Sequence, residues 1–443
     1  MPIEMQSLAF DPADAKAALS QLPQSTAAFA LYGAEAYAEP YIGRTPNLRA
    51  RLERLLQPSL KHPKRLQLAG RVRRIEWRLT GSELESLLLQ FELLEKTYGA
   101  KAPGQSLTRM HLRAPAFVRF LGSNAYPRLT VTHRPSLREA DWAYGPFASR
   151  AAAERFSEEA LKLFLLRRCT DDLNPDPSHP GCVYSEMKMC LAPCYRGCSD
   201  ERYAEEAATV QSFVATRGES RLVTLRTARD EASAKLEFEA AAALHAQAQR
   251  VEAVHALAAE LVRPLSQLRG VILQASAEPG EVAVFLFEDG RLRGPVAFST
   301  VGMRIQNEQS GSSSLFAQPM AIEAVPEEIG NREQGIGNSA AAEAGTAPEA
   351  TAEVGITMPA RLARGVLEAR LDAVLAELMQ PMGPPHAVAR QGHLALLKRW
   401  YYRPEAKRVG EIFFPAEDGS WPVKAILRGI GRVAAAIIKA APC

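Results

Sequence analysis

The sequence predicts a multidomain protein of the α/β plus α class. With 443 residues the chain is too long for one compact core, so roughly two to four domains are expected. Short apolar runs that end in turns are typical of strands, whereas residues 199–262 have helical composition throughout. The apolar fraction of 47% supports globular packing, and no apolar run approaches the length of a membrane span.

The first clear unit is a strand followed by a helix over residues 41–56. Residues 41–43 end an apolar run as a short strand would. Thr45 then supplies an N-cap oxygen and Pro46 takes the first helical position, so the helix is expected to begin there. Its leucines recur at the three- and four-residue spacing of a face that packs on a core: Leu48, Leu52 and Leu55.

Basic residues surround this junction. Between residues 44 and 78 the many arginines and lysines are opposed only by Glu53 and Glu76. Guanidinium groups near a helix N-terminus form a phosphate-binding arrangement, and a local positive field suits a polyanion. An ordinary solvated basic face is the alternative that this segment leaves open. The residues predicted to contact DNA are Arg44, Arg49, Arg54, Lys61, Lys64 and Arg65.

A second strand and a capped helix follow. Residues 72–79 read as a strand. Ser82 and Glu85 have the S-x-x-E spacing of a capping box, which opens an amphipathic helix. The apolar face of that helix is formed by Leu84, Leu87, Leu88 and Leu94.

These motifs, in this order, resemble the GIY-YIG nuclease domain, in the version found in the bacterial excinuclease subunit UvrC. The resemblance implies a small α/β domain with a central antiparallel sheet over 21–105 and a DNA endonuclease that uses Mg²⁺ or Mn²⁺. It implies catalytic roles for Tyr41, in the YIG motif, and for Arg51. The arginine is a candidate for stabilising the charge that builds up on the phosphate in the transition state.

Two positions depart from the family pattern. The glutamate that binds the metal in the family aligns with Gln90, whose amide brings no charge to a Mg²⁺ site. The tyrosine of the first motif aligns with Phe29, which has no hydroxyl, and Tyr32 could substitute only if the strand register were shifted. Glu83 and Glu92 are predicted to lie too far along or around the helix to replace the glutamate. A nuclease fold with lost or weakened cleavage is therefore expected.

Five of the six cysteines fall between residues 169 and 198, within a connecting region over 106–198. Because the N-terminus shows no signal peptide, the clustering favours a metal site over disulfides. All-thiolate ligation admits either Zn²⁺ or an iron–sulfur cluster, and the spacing does not decide between them. Unliganded buried cysteines are the alternative, and Cys198 is a spare.

The string CVYSEMKMCLAPC over 182–194 resembles the UvrC segment that ends in CLAPC. This resemblance favours a [4Fe–4S] cluster over Zn²⁺. The ligands that it implies are Cys169, Cys182, Cys190 and Cys194.

A helical hairpin is predicted over 199–262, with a break at Arg217-Gly218. Residues 236–254 are similar to the UVR motif, whose helix contacts UvrB in the family. An ordinary antiparallel hairpin explains the stretch nearly as well. If a UvrB-like partner binds, the side chains expected to contact it are Phe238, Glu239 and Leu244.

The remaining segments are predicted from composition and turn signals. They are an N-terminal helix over 1–20, a β-hairpin region over 263–303, a disordered linker over 304–357 and a C-terminal α/β segment over 358–443. In the last segment, the aromatic residues Trp400, Tyr401 and Tyr402 lie beside Lys398, Arg399 and Arg403. They could stack on bases or form a packed aromatic edge, and the packed edge is preferred.

The resemblance covers roughly residues 20–300 in the correct order, without the RNase H-like nuclease domain that ends UvrC. It implies a cytoplasmic protein of nucleotide excision repair that binds DNA, with a UvrB-like partner and no membrane association. Three functions stay open. The preferred one is a DNA-binding protein with a degenerate nuclease site. The others are an active structure-specific endonuclease and an adaptor that recruits a repair protein through its hairpin.

Overall fold

A computed structural model describes residues 4–35, 38–57, 68–303, 363–383, 385–404 and 407–440. The predicted linker over 304–357 and the basic residues Lys61, Lys64 and Arg65 lie outside these ranges. The strands are β1 (Gln6–Ala9), β2 (Ala27–Gly33), β3 (Tyr41–Thr45), β4 (Val72–Leu79), β5 (Ala116–Phe120), β6 (Leu129–Thr132), β7 (Ala143–Phe147), β8 (Arg263–Pro264), β9 (Gly270–Ala275), β10 (Glu281–Glu288), β11 (Arg291–Ser299) and β12 (Glu411–Phe413). The helices are α1 (Ala15–Ser20), α2 (Leu48–Leu56), α3 (Glu83–Tyr98), α4 (Gln105–Arg109), α5 (Arg150–Leu161), α6 (Val183–Glu186), α7 (Asp200–Ala215), α8 (Glu219–Ala234), α9 (Phe238–His255), α10 (Arg364–Leu378), α11 (Ala387–Tyr401) and α12 (Val423–Ala440).

The first sheet has the strand order β1-β4-β2-β3 and is antiparallel throughout, as the sequence predicts. Helices α1 and α2 cover one face, where Phe29, Leu52 and Trp77 share a core. Helix α3 covers the other face through Leu89 and Leu93. The predicted N-terminal helix over 1–20 is wrong in its first half, because β1 pairs with the edge of β4 there.

Helix α2 begins later than predicted. Thr45 ends β3, and its hydroxyl accepts a hydrogen bond from the Asn47 N–H at 3.2 Å. The cap is Asn47, whose side-chain oxygen accepts from the Ala50 N–H at 2.9 Å. Pro46 therefore lies in the link between strand and helix, one residue before the cap.

Helix α3 begins at the predicted cap. The Ser82 hydroxyl accepts a hydrogen bond from the Glu85 N–H at 3.1 Å, whereas the Glu85 carboxylate accepts from the Gly81 N–H at 2.8 Å. One half of the predicted capping box thus forms. Away from the sheet, α3 packs on α11, and a Cβ added to Gly392 would lie 2.1 Å from the Phe91 ring.

The second sheet has the order β6-β5-β7-β8 and packs with α5 and α7–α9 around a core that includes Phe156, Tyr203 and Phe213. The predicted hairpin over 199–262 comprises three helices. The break at Gly218 is present, and a second one follows α8, where Leu236 has a positive φ of 62°. Leu165 is 37% exposed because α5 ends at Leu161.

The third sheet has the order β11-β10-β9-β12, so the C-terminal segment contributes its edge strand. The predicted β10–β11 hairpin is confirmed: Asp289 and Gly290 form its turn with φ values of 51° and 73°. Helices α10 and α12 pack on one face of this sheet, and α11 packs between its other face and α3. None of the described helices has the length and apolarity needed to cross a bilayer.

Candidate functional site

Tyr41 and Arg51 meet beside the first sheet. Tyr41 opens β3, and Arg51 lies on the first turns of α2, the helix that follows directly. The Arg51 guanidinium donates a hydrogen bond to the Tyr41 hydroxyl at 3.2 Å, and both side chains are half-buried. The pair presents an acceptor–donor hydroxyl and a fixed positive charge, which are groups that can hold a phosphate oxygen.

Phe29 lies next to this pair on β2. It is fully buried, it is paired in register with Gly43, and its ring centroid is 6.1 Å from that of Tyr41. A Cβ on Gly43 would lie 2.9 Å from the Phe29 ring. The ring therefore occupies the space over the glycine of the YIG motif, and it brings no hydroxyl there.

Tyr32 does not take over this place. Side chains alternate across a strand, so Tyr32 faces the opposite side of the sheet from Phe29. The Arg74 guanidinium lies 4.4 Å from its ring centroid on that side. The suggested substitution by Tyr32 is thus wrong, because the register of β2 is fixed by the Phe29–Gly43 pair.

Gln90 is half-buried on α3 and has no hydrogen-bond partner among the residues that the structure describes. Glu83, two turns earlier, is held by Arg44 at 3.4 Å and by Arg403 at 2.5 Å. The hydrogen bond from Arg403 lowers the pKa of the Glu83 carboxyl. Glu83 is therefore an ionised partner of arginines, already engaged away from Gln90.

Glu92 faces a different environment. Its charged neighbours are Arg78 on β4 and Arg291 on β11, and burial raises its pKa to about 7. Since Glu92 lies roughly 200° around the helix from Gln90, the two side chains cannot reach one point. Neither Glu83 nor Glu92 therefore shares the position of Gln90.

The basic residues around α2 differ in availability. Arg49 donates to the Leu22 carbonyl at 2.6 Å and is half-buried, so it joins α2 to the chain before β2. Arg54 is exposed, and within the described part of the chain its guanidinium donates only to the Ala50 carbonyl of its own helix, at 3.0 Å. Of the described predicted contacts, Arg54 is the most open to a ligand.

The four predicted ligand cysteines line one small cavity after α5, together with Arg167, Arg168 and Tyr184. The five described cysteines, including Cys198, are free thiols. Burial and the neighbouring thiols raise the pKa of Cys190 to about 11. Among the described residues, no three cysteine, histidine or acidic side chains converge as a ready site for one ion. The cavity cysteines are Cys169, Cys182, Cys190 and Cys194.

Arg167 supports this cavity from inside the protein. It is 2% exposed, and its guanidinium donates to the Tyr126 carbonyl at 2.9 Å and to the Asp171 carbonyl at 2.8 Å. The same guanidinium donates to the Cys169 Sγ at 3.6 Å. Cys198 lies outside the cavity and packs on the core of the second sheet.

The exposed end of the α8–α9 hairpin carries part of the predicted partner surface. Phe238 is 66% exposed and Glu239 is exposed as well. Leu244 is half-buried against the core of the second sheet. Unlike Phe238, it is therefore not freely available to a partner, contrary to the prediction. Leu236 beside Phe238 is exposed instead, because the chain turns with a positive φ there.

Comparisons with known families match two stretches of the chain. The UvrC-like GIY-YIG domain matches residues 32–99, which include Tyr41, Arg51 and Gln90. The middle domain of the UvrC/Cho excinuclease matches residues 117–213, which include the cysteine cavity. The chain thus contains two domains of the UvrC family, a GIY-YIG domain and a middle domain. The match to the first domain begins at Tyr32, three residues after Phe29.

Curated relatives agree with this assignment. UvrABC system protein C of Alcanivorax borkumensis is 33% identical over 214 residues, 48% of this chain and 34% of that protein. The protein of the same name from Pseudomonas aeruginosa is 30% identical over 234 residues, 53% of this chain and 37% of that protein. The UvrC-like chain thus spans little more than a third of the length of these relatives. No solved structure matches it.

Proposed function

We propose that this UvrC-like protein binds DNA in nucleotide excision repair with a GIY-YIG fold whose cleavage is lost or weakened. The observation that carries the proposal is the buried Phe29 ring over Gly43, beside the Tyr41–Arg51 pair. Gln90 adds to it, because no carboxylate stands at the expected ligand position. The names of the relatives, which belong to the UvrABC system, support a role in excision.

The residues that remain favour phosphate binding over hydrolysis. Metal-assisted hydrolysis needs carboxylates that hold Mg²⁺ or Mn²⁺ and a group that activates water. The Arg51 guanidinium and the Tyr41 hydroxyl supply positive charge and hydrogen bonding but no ligand with negative charge. They can hold and orient a phosphate, which suffices for binding.

The test is a nicking assay on lesion-bearing and branched DNA with Mn²⁺ and an EDTA control. We expect binding without cleavage. The double variant Phe29→Tyr with Gln90→Glu is expected to restore some metal-dependent nicking. Nicking by the unchanged protein that EDTA abolishes would overturn the proposal and support the active endonuclease, with a metal ligand still to be found.

We also propose a [4Fe–4S] cluster at the four cavity cysteines. The support is that four thiols, and no carboxylate, line one cavity, together with the resemblance of residues 182–194 to the UvrC segment that ends in CLAPC. Thiolates are the usual ligands of iron–sulfur clusters. When bound, the cluster would supply structural cross-linking of the segments that carry its ligands.

Metal analysis of anaerobically purified protein tests this cofactor. Iron and acid-labile sulfide in equal amounts, with visible absorbance lost in Cys190→Ser, are expected. Stoichiometric zinc without iron would show that the cysteines bind Zn²⁺ and not an iron–sulfur cluster. Cys198→Ser is the matched control, because Cys198 lies outside the cavity and its loss should leave the metal content unchanged.

The UvrB-like partner is the third part of the proposal. Exposed Phe238 and Leu236 at the end of the α8–α9 hairpin offer apolar side chains to a partner helix pair. This surface also supports the adaptor function as a second candidate. Salt-dependent DNA affinity separates the two, because an adaptor with no direct role for DNA would show none.

A further inference from the structure

The helix α11 reaches the nuclease-like domain from the opposite end of the chain. Trp400 is buried at its end, and its indole N–H donates to the Val409 carbonyl at 3.2 Å. The Tyr402 hydroxyl donates to the Pro146 carbonyl at 2.8 Å. The aromatic run is therefore packed, as preferred from the sequence, and it fixes the arginines on either side of it.

Those arginines approach the residue that follows the YIG motif. Arg403 pairs with Glu83 at 2.5 Å, and Glu83 pairs with Arg44 on β3 at 3.4 Å. Arg399 lies close enough to lower the pKa of both Arg44 and Glu83. It is half-buried, and it has no hydrogen bond or ion pair with any described residue. The cluster thus holds three guanidiniums against one carboxylate.

Such a cluster has an unbalanced positive charge at a place where the side chains still reach solvent. The side chains of Arg44, Arg403 and Glu83 are 30%, 27% and 37% exposed. The three guanidiniums repel one another, and the single Glu83 carboxylate offsets only part of that repulsion. An anion with several oxygens, such as a phosphodiester, would relieve this repulsion and accept the free donors of Arg399.

We propose that Arg399 and Arg403 of α11 join Arg44 to form a composite phosphate-binding site for the DNA backbone. The site rests on the proposed DNA-binding function and deepens it. Its two halves come from the GIY-YIG domain and from a segment beyond both matched domains. Glu83 aligns the arginines and competes with the phosphate, so its charge opposes binding.

The experiment measures binding of a fluorescein-labelled DNA duplex by anisotropy across a salt titration, with the full-length protein. Arg399→Gln is expected to weaken binding about three- to tenfold and to reduce the salt slope by about 1, as loss of one phosphate contact would. The double variant with Arg403→Gln should weaken it further. Glu83→Gln should strengthen it, a change of sign that a purely structural role would not give.

Arg428→Gln is the matched control, since Arg428 is an exposed arginine on α12 outside the cluster. Thermal melting checks that each variant is folded. Wild-type binding with an Arg399→Gln salt slope equal to that of the control would overturn the site and leave the proposed function standing. Absence of salt-dependent binding by the wild-type protein would overturn both.

Discussion

Phe29 and Gly43 depend on each other across two strands. The ring leaves no room for a side chain at residue 43, and the pair sets the register that sends Tyr32 to the other face of the sheet. Phe29 therefore places an apolar ring, without a hydroxyl, beside the Tyr41–Arg51 pair. Any substitution of Phe29 must keep the packing with Gly43.

Gly43→Ala is expected to destabilise the protein by about 1–3 kcal/mol, because the added methyl would lie 2.9 Å from the Phe29 ring. Chemical denaturation measures the change. Gly431→Ala on α12 is the control: a Cβ there meets nothing within 4 Å, and alanine favours helix, so stability should hold or rise. Equal stability of the two variants would show that the ring does not fill that space.

His393 makes stability sensitive to acid. It is buried at the α3–α11 contact, edge-on to Phe91 at a ring-centroid distance of 5.2 Å, and its Nδ1 has no hydrogen-bond partner among the described residues. Burial, with Arg291 and His386 nearby, lowers its pKa to about 3. The unfolded chain takes up the proton near the ordinary value of about 6.5, so stability falls as pH drops from there towards 3.

His393→Leu should remove this part of the pH dependence, about 1.4 kcal/mol per pH unit at most between the two pKa values. Unfolding free energies at pH 7, 5.5 and 4.5 measure it for both proteins. The variant is expected to lose less stability on acidification than the wild-type protein. Parallel pH profiles would mean that His393 is not kept neutral by the fold.

At the scale of elements, local signals predicted what local contacts determine. The turn at Asp289-Gly290 and the cap at Ser82 each depend on adjacent residues, and the structure has the hairpin and the cap where the sequence predicts them. The strand β1, the edge strand β12 and the placement of α11 depend on pairing partners far along the chain. Local sequence periodicity does not specify these long-range partners. The proximity of Arg399 to Arg44 could therefore not be predicted, although both are basic residues of interest in the sequence.

The α8–α9 hairpin gives a prediction for partner binding. Phe238→Ala is expected to leave the melting temperature unchanged, because the side chain is 66% exposed. The same substitution should weaken the affinity for a UvrB-like partner about tenfold or more. Pull-down and calorimetry with a purified UvrB-like protein measure the affinity. Val223→Ala, an exposed apolar residue on α8, is the control. Unchanged affinity in the Phe238 variant would remove this surface from the proposal.

At the scale of the whole molecule, the C-terminal segment is built into the structure of the first domain. Its helix α11 shares a core with α3, and its strand β12 extends the third sheet. Substitutions that destabilise this segment should therefore also destabilise the nuclease-like domain. The composite arginine site would be lost together with the packing that positions it.

Trp400→Ala is expected to lower stability by about 3–5 kcal/mol, since the indole is 4% exposed and packs in the shared core. DNA affinity should fall in the same variant, because Arg399 and Arg403 flank the residue. Anisotropy at a temperature where the variant remains folded measures the second effect. A folded variant with undiminished affinity would separate the packing of α11 from DNA binding.

Arg370 on α10 donates to the Ser299 carbonyl at the end of β11 at 2.6 Å. This hydrogen bond ties α10 to the last residue of β11. The position of α10 on the third sheet therefore depends on a donor in the helix and an acceptor at the end of the strand.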